Sequence, residues 1–296
     1  MVPALHGPKS RPLPPDGQLI AGWRRRRQAQ GNPIVARQAG DPLMLMLTSM
    51  LTSTLPDAGG RRPGDEGRGT GHYPRPLMPS NENPTRDRAR LVLRRLKRRY
   101  PEIGTALDYR SPWELLASTI ISAQTTDENV NSVTPALFER WPTAAALAGA
   151  RAEDVEKVIF STGFYRQKTK SIITMSADLM ERFGGVVPDD LDDLVTLRGV
   201  GRKTASVVLA EAFGKPAIAV DTHVKRLANR LGLTDQVDPT KIEFDLRELY
   251  DRRQWGGISM RFIQFGRDVC NARKPLCYEC PLNELCPYPD KTPPPG

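Results

Sequence analysis

Residues 197–205 read LRGVGRKTA, and this stretch decides the fold of the chain. It lies between two apolar helical patterns, and its two glycines, Gly199 and Gly201, permit the positive φ that a tight interhelical turn needs. The stretch therefore predicts two helices joined by a hairpin. Backbone N–H groups of the turn and of the next helix's first residues would then point outward and form a seat for a phosphate oxygen.

A plain glycine stop at the end of a helix would show the same G-x-G pattern. The adjacent cations Arg202 and Lys203, in a chain with a formal net charge of +9, favour phosphate binding instead. Contacts of this kind position a nucleic acid without reading its bases. The hairpin residues expected to contact the phosphate backbone are Gly199, Val200, Gly201, Arg202 and Thr204.

On both sides of the hairpin, from Asn83 onward, one amphipathic helical pattern follows another, and alternating stretches long enough for a strand are nearly absent. Two helices begin with capping-box sequences, SPWE at 111–114 and TTDE at 125–128, the second continuing to Arg140. The sequence predicts an all-α protein. The other helices are expected at 86–100, 113–121, 152–160, 167–183, 191–197, 204–213, 222–231, 239–250 and 259–270.

Residues 1–84 are rich in Pro, Gly and Arg, include the run Arg24 to Arg27, and show no sustained helical or strand period. Such a segment cannot bury enough apolar surface to offset its ordering entropy, so we expect a disordered extension. A DNA-holding basic arm, a solvated tail and a leader upstream of a start at Met78 all remain open. No apolar run reaches the roughly 20 residues that span a bilayer, so no membrane is expected.

Lys203 and Asp221 are the candidates for chemistry. Lys203 stands near the start of a helix of small and apolar residues, where desolvation and the helix's positive end would lower its pKa and make it a nucleophile. Asp221 occupies the N-cap position of the next helix, which would keep it ionised. A phosphate-binding cation and a simple cap are the plainer interpretations of each alone. The 18 positions between them, however, suffice to complete a helix and bring both to one cleft.

Four cysteines, the only ones in the chain, follow the spacing C-x6-C-x2-C-x5-C. A secreted disulfide scaffold would carry cysteines throughout, so a reducing, intracellular compartment is expected. Tetrahedral zinc and a [4Fe-4S] cluster both accept four thiolates, and spacing alone does not choose between them. The expected metal ligands are Cys270, Cys277, Cys280 and Cys286.

Residues 197–232, LRGVGRKTASVVLAEAFGKPAIAVDTHVKRLANRLG, together with this cysteine spacing, resemble the endonuclease III family of helix-hairpin-helix DNA glycosylases and lyases. The resemblance covers about residues 85–288. It implies an all-α, two-lobed fold with a C-terminal [4Fe-4S] cluster loop. The implied parts are a continuous helical domain at 101–214, a cluster domain formed by 85–100 with 215–288, and a tail at 289–296.

The family's catalytic lysine and aspartate match Lys203 and Asp221. The resemblance thus implies base flipping, a Schiff base between Lys203 and the sugar, and β-elimination 3′ to the abasic site. Gln124 and Phe164 match the two residues that enter the duplex, although the family more often has leucine at the second position. The Phe164 ring could stack on an unpaired base, and burial in the core is the alternative.

Three further residues are implied to contact DNA. His223 matches a family position near the site, and Arg273 and Lys274 lie on the cluster loop, where solvated surface charge is the alternative. The family usually has proline where this chain has Arg198. We expect this arginine to add charge beside the phosphate seat and to loosen the start of the hairpin.

The expected function is that of a bifunctional DNA glycosylase and AP lyase that excises oxidised pyrimidines such as thymine glycol. The implied partner is damaged double-stranded DNA, the implied cofactor a [4Fe-4S] cluster, and the expected state a cytoplasmic, nucleoid-associated monomer. One alternative is a monofunctional relative, such as the adenine-mispair glycosylase, which lacks the lysine. The other is a non-catalytic helix-hairpin-helix protein that binds DNA or senses redox state.

Overall fold

The computed structural model of the protein describes residues 83–295. This part of the chain is helical and contains no strand, which confirms the all-α prediction. The predictions for the extension, including Arg24 to Arg27 and Met78, lie outside the described residues. None of the described helices combines the length and apolar character needed to cross a membrane.

Eleven α-helices and four 3-10 turns make up the described chain. In order, the helices are α1 (Pro84–Arg99), α2 (Pro112–Ile121), α3 (Asp127–Arg140), α4 (Ala144–Ala148), α5 (Ala152–Ile159), α6 (Tyr165–Phe183), α7 (Leu191–Val195), α8 (Arg202–Ala212), α9 (Thr222–Arg230), α10 (Pro239–Leu249) and α11 (Trp255–Asp268). The 3-10 turns are Phe160–Thr162, Arg252–Gln254, Cys277–Glu279 and Asn283–Leu285.

The first capping box forms as predicted, with one difference. The Ser111 hydroxyl accepts a hydrogen bond from the Glu114 N–H at 3.2 Å, and Pro112 is the first residue of α2. The Glu114 carboxylate accepts from the N–H of Arg110 at 2.6 Å, one residue earlier than the standard box. Both bonds satisfy amides before α2 and set where the helix begins.

The second capping box was wrong by one residue. Thr126 is the N-cap of α3, and its hydroxyl accepts from the Asn129 N–H at 3.3 Å. The Thr125 hydroxyl instead accepts from the Asn129 side-chain amide at 3.0 Å. Asn129 is therefore hydrogen-bonded to both threonines, to Thr126 through its backbone N–H and to Thr125 through its side chain. The T-x-x-E pattern does not show which of the two adjacent threonines caps the helix.

Sequence periodicity missed the first turn of α11, predicted to begin at residue 259. Gly256 and Gly257 interrupt the pattern because packing leaves no room for side chains there. A Cβ at Gly256 would lie 3.0 Å from the Ala210 Cβ, and one at Gly257 would lie 2.6 Å from Nη1 of Arg261. Gly256 thus allows α11 to approach α8 closely, whereas the Arg261 side chain beside Gly257 belongs to α11 itself. The five-residue helix α4 was also missed, since one turn shows no period.

The buried apolar side chains form two main clusters. One lies among α2 to α8 and includes Trp113, Leu137, Ile172 and Leu209. The other joins α1 to α9, α10 and α11, far apart in the sequence, through residues such as Leu96, Leu227, Leu246 and Phe262. The division into domains at 101–214 and at 85–100 with 215–288 remains a prediction about folding units.

Candidate nucleic-acid interface and active site

The hairpin between α7 and α8 uses only one of its two glycines for positive φ. Gly199 has a φ of 80°, and a Cβ there would lie 3.1 Å from the Ser171 Cβ. Gly201 has a φ of −85° and is the extended N-cap of α8, so it does not use the positive φ that a glycine permits. A Cβ at Gly201 would meet nothing within 4 Å, which leaves the surface at the start of α8 open.

Within the described chain, no side chain caps α8. The N–H groups of its first turn are therefore left for an acceptor from outside, as the phosphate-seat hypothesis requires. Val200 has a different task. Its side chain is 5% exposed and its N–H donates to the Leu197 carbonyl at 3.1 Å, so it holds the turn and has neither group free for a phosphate.

Arg202 does not present a free guanidinium. It donates from Nε to Oε2 of Glu243 at 2.6 Å and from Nη2 to Oε1 at 3.0 Å. The Glu243 side chain is only 3% exposed and also pairs with Arg247. A buried carboxylate from α10 therefore holds Nε and Nη2 of Arg202, and a contact of this residue with DNA stays a prediction.

The presence of Arg198 where the family usually has proline suggested a looser start of the hairpin. The structure shows instead that Arg198 is held in place. Its N–H, which a proline would lack, donates to Oδ2 of Asp178 at 2.9 Å. Its Nε lies 3.6 Å from Oδ1 of the same carboxylate, whose side chain is 10% exposed. Asp178 on α6 thus holds the approach to the hairpin in place.

Lys203 is the second residue of α8, in its first turn, as predicted. It is exposed, so the expected desolvation was wrong for the protein alone. The apolar residues that suggested burial, from Ala205 to Leu209, face the core one turn further on. Exposure at the uncapped end of a helix leaves the amine accessible to a bound substrate.

Asp221 is the N-cap of α9, as predicted. One carboxylate oxygen, Oδ1, accepts from the N–H groups of His223 and Val224, each at 2.8 Å. The other, Oδ2, lies 3.1 Å from Nδ1 of His223. His223 is thereby placed beside the candidate aspartate, and a phosphate contact by its ring stays a prediction.

The electrostatic surroundings keep Asp221 ionised. Burial alone would raise the pKa of this carboxyl, but the hydrogen bonds of His223 and the Val224 N–H outweigh it. The positive charge of Lys203 also lowers the pKa of Asp221, which ends below its usual value. The tertiary structure thus brings the two candidate residues into electrostatic contact.

Gln124 and Phe164 share a backbone property. They are the two non-glycine residues with positive φ in residues 83–295, at 56° and 46°. Both are exposed, Phe164 by 68%, so the buried-core alternative for its ring was wrong. They line one pocket of about 280 Å³ together with Gly199 and Thr204 of the hairpin. Left-handed backbone at bulky residues is strained and concentrates at functional sites.

A lysine that the sequence did not single out lies in the same pocket. Lys168 is 4% exposed, and its Nζ donates to the Thr162 carbonyl at 2.7 Å. Burial lowers the pKa of Lys168. The contact holds the turn directly before Phe164. A sequence signal existed, because Lys168 falls on the apolar stripe of α6, four residues before Ile172 and seven before Met175.

The four cysteines are free thiols that line one apolar pocket beside α9 and α11. Polar groups of the chain already contact their sulfurs: Arg230 Nη1 lies 3.3 Å from Cys270 Sγ, and the Leu282 N–H donates to Cys280 Sγ at 3.4 Å. Among the described residues, no three His, Cys, Asp or Glu side chains converge on a point that would hold a single ion. The thiols surround a space instead.

Two of the thiols, Cys280 and Cys286, have a raised pKa, chiefly because they are buried. Burial raises the pKa of Cys280 to about 11; the Leu282 N–H lowers this pKa and the charges of the other three cysteines raise it. A metal centre stabilises thiolates under such conditions. Four thiols around one pocket therefore fit a metal centre.

Arg273 and Lys274 are both exposed on the segment between the first two cysteines. Arg230 holds the base of this segment by donating to the Asn271 and Ala272 carbonyls at 2.8 and 2.9 Å. The two cations thus project from a fixed backbone, and their DNA contacts stay a prediction.

Comparison with known proteins identifies the family of the chain. Residues 117–252 match the family model described as HhH-GPD superfamily base excision DNA repair protein. The endonuclease III of Synechocystis sp. is 52% identical over 203 residues, which is 68% of this chain and 93% of that protein. The chain belongs to the endonuclease III family. It is therefore an enzyme of base excision repair, in the class of DNA glycosylases and AP lyases.

Solved structures of the family share the fold. One is described as a non-covalent endonuclease III–DNA complex, and another as a trapped endonuclease III–DNA covalent intermediate, the estranged-adenine complex. Each is 41% identical to this chain, covers 69% of it and has a TM-score of 0.66. This chain covers 95% of the first structure and 96% of the second, so the likeness extends over nearly all of both.

Proposed function

We propose that this endonuclease III family member is a bifunctional DNA glycosylase and AP lyase that excises oxidised pyrimidines, such as thymine glycol, from double-stranded DNA. The observation that carries the proposal is the pair of Lys203 and Asp221. The exposed amine of Lys203 lies in the first turn of α8, which no side chain caps. Its positive charge, together with His223 and the Val224 N–H, lowers the pKa of Asp221 and keeps this carboxylate ionised.

DNA binding begins at the start of α8. A phosphate oxygen accepts from the free N–H groups there, where the helix dipole favours negative charge. Gln124 and Phe164 enter the duplex from the neighbouring pocket and fill the gap left by the flipped nucleotide. Closure of DNA over Lys203 brings the exposed amine to the sugar of the flipped nucleotide.

The chemistry takes place at the sugar. The neutral Lys203 amine forms a bond to C1′ while the C1′–N bond to the base breaks, and the base leaves with that electron pair and a proton. Loss of a proton from nitrogen and opening of the sugar ring give an iminium. Removal of a C2′ proton then breaks the C3′–O bond, which cleaves the strand 3′ to the lesion, and water hydrolyses the imine to release the enzyme.

Asp221 supports these steps as an anion. Because its pKa is lowered, it is a weak base at neutral pH and acts chiefly by stabilising positive charge on the sugar as the base departs. Its placement at an N-cap fixes the carboxylate before substrate arrives, so little reorganisation is needed during the reaction.

We propose that Cys270, Cys277, Cys280 and Cys286 hold a [4Fe-4S] cluster. Four free thiols around one apolar space, without a point of convergence, suit a polynuclear cluster better than zinc. The cluster would fix the loop that carries Arg273 and Lys274, which we expect to contact the DNA backbone. The protein is proposed to act as a cytoplasmic, nucleoid-associated monomer.

A monofunctional glycosylase is the alternative within the superfamily. Such an enzyme has no use for an accessible lysine at the start of α8, where this chain has Lys203. The trapped covalent intermediate of the 41% identical relative also favours a covalent mechanism.

Borohydride trapping on a duplex with one thymine glycol tests the proposal. Borohydride reduces the iminium to a stable amine, so the wild-type protein should form a covalent adduct and Lys203→Gln should not. Lys203→Arg is the matched control, because it keeps the positive charge and phosphate binding but cannot form the iminium. Base release without an adduct in the wild type would establish the monofunctional alternative, and binding without release would refute both.

A further inference from the structure

A groove of about 540 Å³ lies between α1 and residues 247–254, apart from the pocket of Gln124 and Phe164. One wall of this basic groove is a row of four exposed cations on α1: Arg86, Arg90, Arg94 and Lys97. The opposite wall contributes Arg247 and two carboxylates, Glu248 and Asp251. Cations therefore outnumber carboxylates in the groove by five to two.

The row of four cations destabilises α1. Its members are four, four and three positions apart, so each lies above the next on one face of the helix, and like charges at this spacing repel by about 0.2–0.5 kcal/mol per pair. Arg90 lies 3.3 Å from Asp87, and Arg86 donates to a main-chain carbonyl. Arg94 and Lys97 have no hydrogen bond or ion pair with any group in residues 83–295.

The basic groove connects to the active site through side chains in direct contact. Arg247, on its wall, shares the buried carboxylate of Glu243 with Arg202, the residue before Lys203. The Phe244 ring, 50% exposed, lies between the same two guanidinium groups at 5.7 and 5.4 Å. The partly exposed side chains of Arg202 and Arg247 and the exposed Phe244 ring thus lead from the start of α8 to the groove.

We propose that the basic groove binds the phosphodiester backbone of the DNA duplex flanking the lesion, beyond the phosphates seated at α8. This inference rests on DNA being the substrate. The row rises about 16 Å along the helix axis, a length that can follow a short run of phosphates on one strand. Binding there neutralises the repulsion within α1 and adds affinity that does not depend on sequence.

A DNA backbone fits the groove better than an acidic peptide. Peptide docking relies on apolar anchors that enter pockets, whereas Leu93 and Tyr250 in the groove are 7% and 5% exposed and already packed in the core. Evenly spaced cations with little accessible apolar surface suffice for a phosphate backbone.

The test compares a triple variant, Arg90→Gln with Arg94→Gln and Lys97→Gln, with the wild-type protein. Binding to a lesion-free duplex of about 30 base pairs, roughly 100 Å of helix axis, is measured over a range of salt concentrations. The slope of log K against log salt should fall in magnitude by about 2 to 3, since each phosphate contact contributes about 0.9. Excision of thymine glycol by saturating enzyme in a single turnover should remain at the wild-type rate.

The matched control removes three exposed charges on and beside α5 and α6, with Arg151→Gln, Lys157→Gln and Arg182→Gln. An equal change of slope in this control would show that net charge alone matters and would overturn the proposal. An unchanged slope in the groove variant would also overturn it and leave the groove to an acidic protein partner. Absence of thymine glycol excision by the wild-type protein would contradict the proposed function but not the groove. The salt dependence of binding to lesion-free DNA tests the groove separately.

Discussion

At the scale of single residues, Asp221 combines a structural and a chemical role in two oxygen atoms. Oδ1 caps α9 by accepting two backbone N–H groups, and Oδ2 lies beside His223. An asparagine can replace the cap because its side-chain oxygen accepts the same bonds, but it carries no charge. The two roles are therefore separable by substitution.

We predict that Asp221→Asn folds with nearly wild-type stability and loses excision by at least about 100-fold, as expected for removal of a preorganised charge. Asp221→Ala should in addition lose about 1 kcal/mol of unfolding free energy, the usual cost of an N-cap. Urea unfolding and single-turnover excision provide the two measurements. Equal stability loss in both variants would show that the charge, not the cap, stabilises α9.

The pH dependence has a definite sign. A carboxyl whose pKa is lowered by folding stabilises the protein above its unfolded pKa, and this contribution is lost as pH falls through the lower, folded value. For Asp221 the loss should begin below about its usual pKa of 3.8 and be absent in Asp221→Asn. A difference in stability between wild type and Asp221→Asn that changes between pH 5 and 7 would contradict this assignment.

Arg198 offers a second separable pair of contacts. We predict that Arg198→Pro lowers the unfolding free energy by about 1–3 kcal/mol, because it removes the N–H that donates to the buried Asp178 carboxylate. Arg198→Ala is the control: it keeps the N–H and loses only a side chain that is 73% exposed, so a change within about 1 kcal/mol is expected. Chemical denaturation of both variants decides between the backbone and side-chain contributions.

At the scale of elements, α6 and α8 both begin with backbone N–H groups that no side chain caps. Neither helix has a side-chain cap, and each follows a residue with left-handed backbone, Phe164 and Gly199 respectively. Most of the other described helices are capped by Ser, Thr, Asn or Asp. Helices α5 and α11 also lack a side-chain cap, but the starts of α6 and α8 are the two that meet at one pocket, at the proposed DNA interface.

The segment with the four cysteines would depend on the proposed cluster more than any other element depends on it. It contains only two short 3-10 turns, Cys277–Glu279 and Asn283–Leu285, and the single deeply buried apolar residue Leu282. With so little packing, the proposed cluster must supply much of its folding energy.

We predict that Cys277→Ser loses the brown colour and visible absorbance of an iron-sulfur protein and much of its folded yield. Tyr278→Ser, a substitution of the exposed neighbour, is the control and should keep both. Metal analysis of the wild type adds a separate criterion, since zinc without iron and sulfide would contradict the cluster while leaving a four-thiolate site intact.

At the scale of the whole molecule, the buried carboxylate of Glu243 joins the two apolar clusters. It lies on α10 of one cluster and accepts from Arg202 at the start of α8 in the other. A buried ion pair adds little net stability by itself, but loss of one partner leaves the remaining charges uncompensated. Glu243 therefore couples the position of the catalytic helix to α10.

We predict that Glu243→Gln lowers the unfolding free energy by about 3–5 kcal/mol and slows single-turnover excision, because Arg202 and Arg247 lose their shared anion. Glu284→Gln is the control. That carboxylate is 82% exposed and pairs with Arg95 at 3.0 Å, so its loss should cost less than about 1 kcal/mol. If Glu243→Gln and Glu284→Gln lowered the unfolding free energy and the excision rate equally, Glu243 would not couple α8 to α10.

Sequence alone determined the features that depend on near neighbours along the chain. The helices, the Ser111 and Asp221 caps, the hairpin and the spacing of the cysteines follow from local hydrogen bonding and side-chain periodicity. These patterns also carried the family resemblance that the comparisons confirmed. Helix starts were less accurate where glycines pack closely, as at Gly256, because periodicity cannot distinguish a tight helix contact from a helix end.

Only the tertiary structure decided which charges remain available. Arg202 meets Glu243 across 41 positions, Arg198 meets Asp178 across 20, and the exposure of Lys203 and Phe164 depends on which surfaces the two clusters cover. The same chain folding places the row of α1 opposite Arg247 in the basic groove. Burial and charge compensation arise from contacts between distant segments, and for that reason local sequence patterns do not contain them.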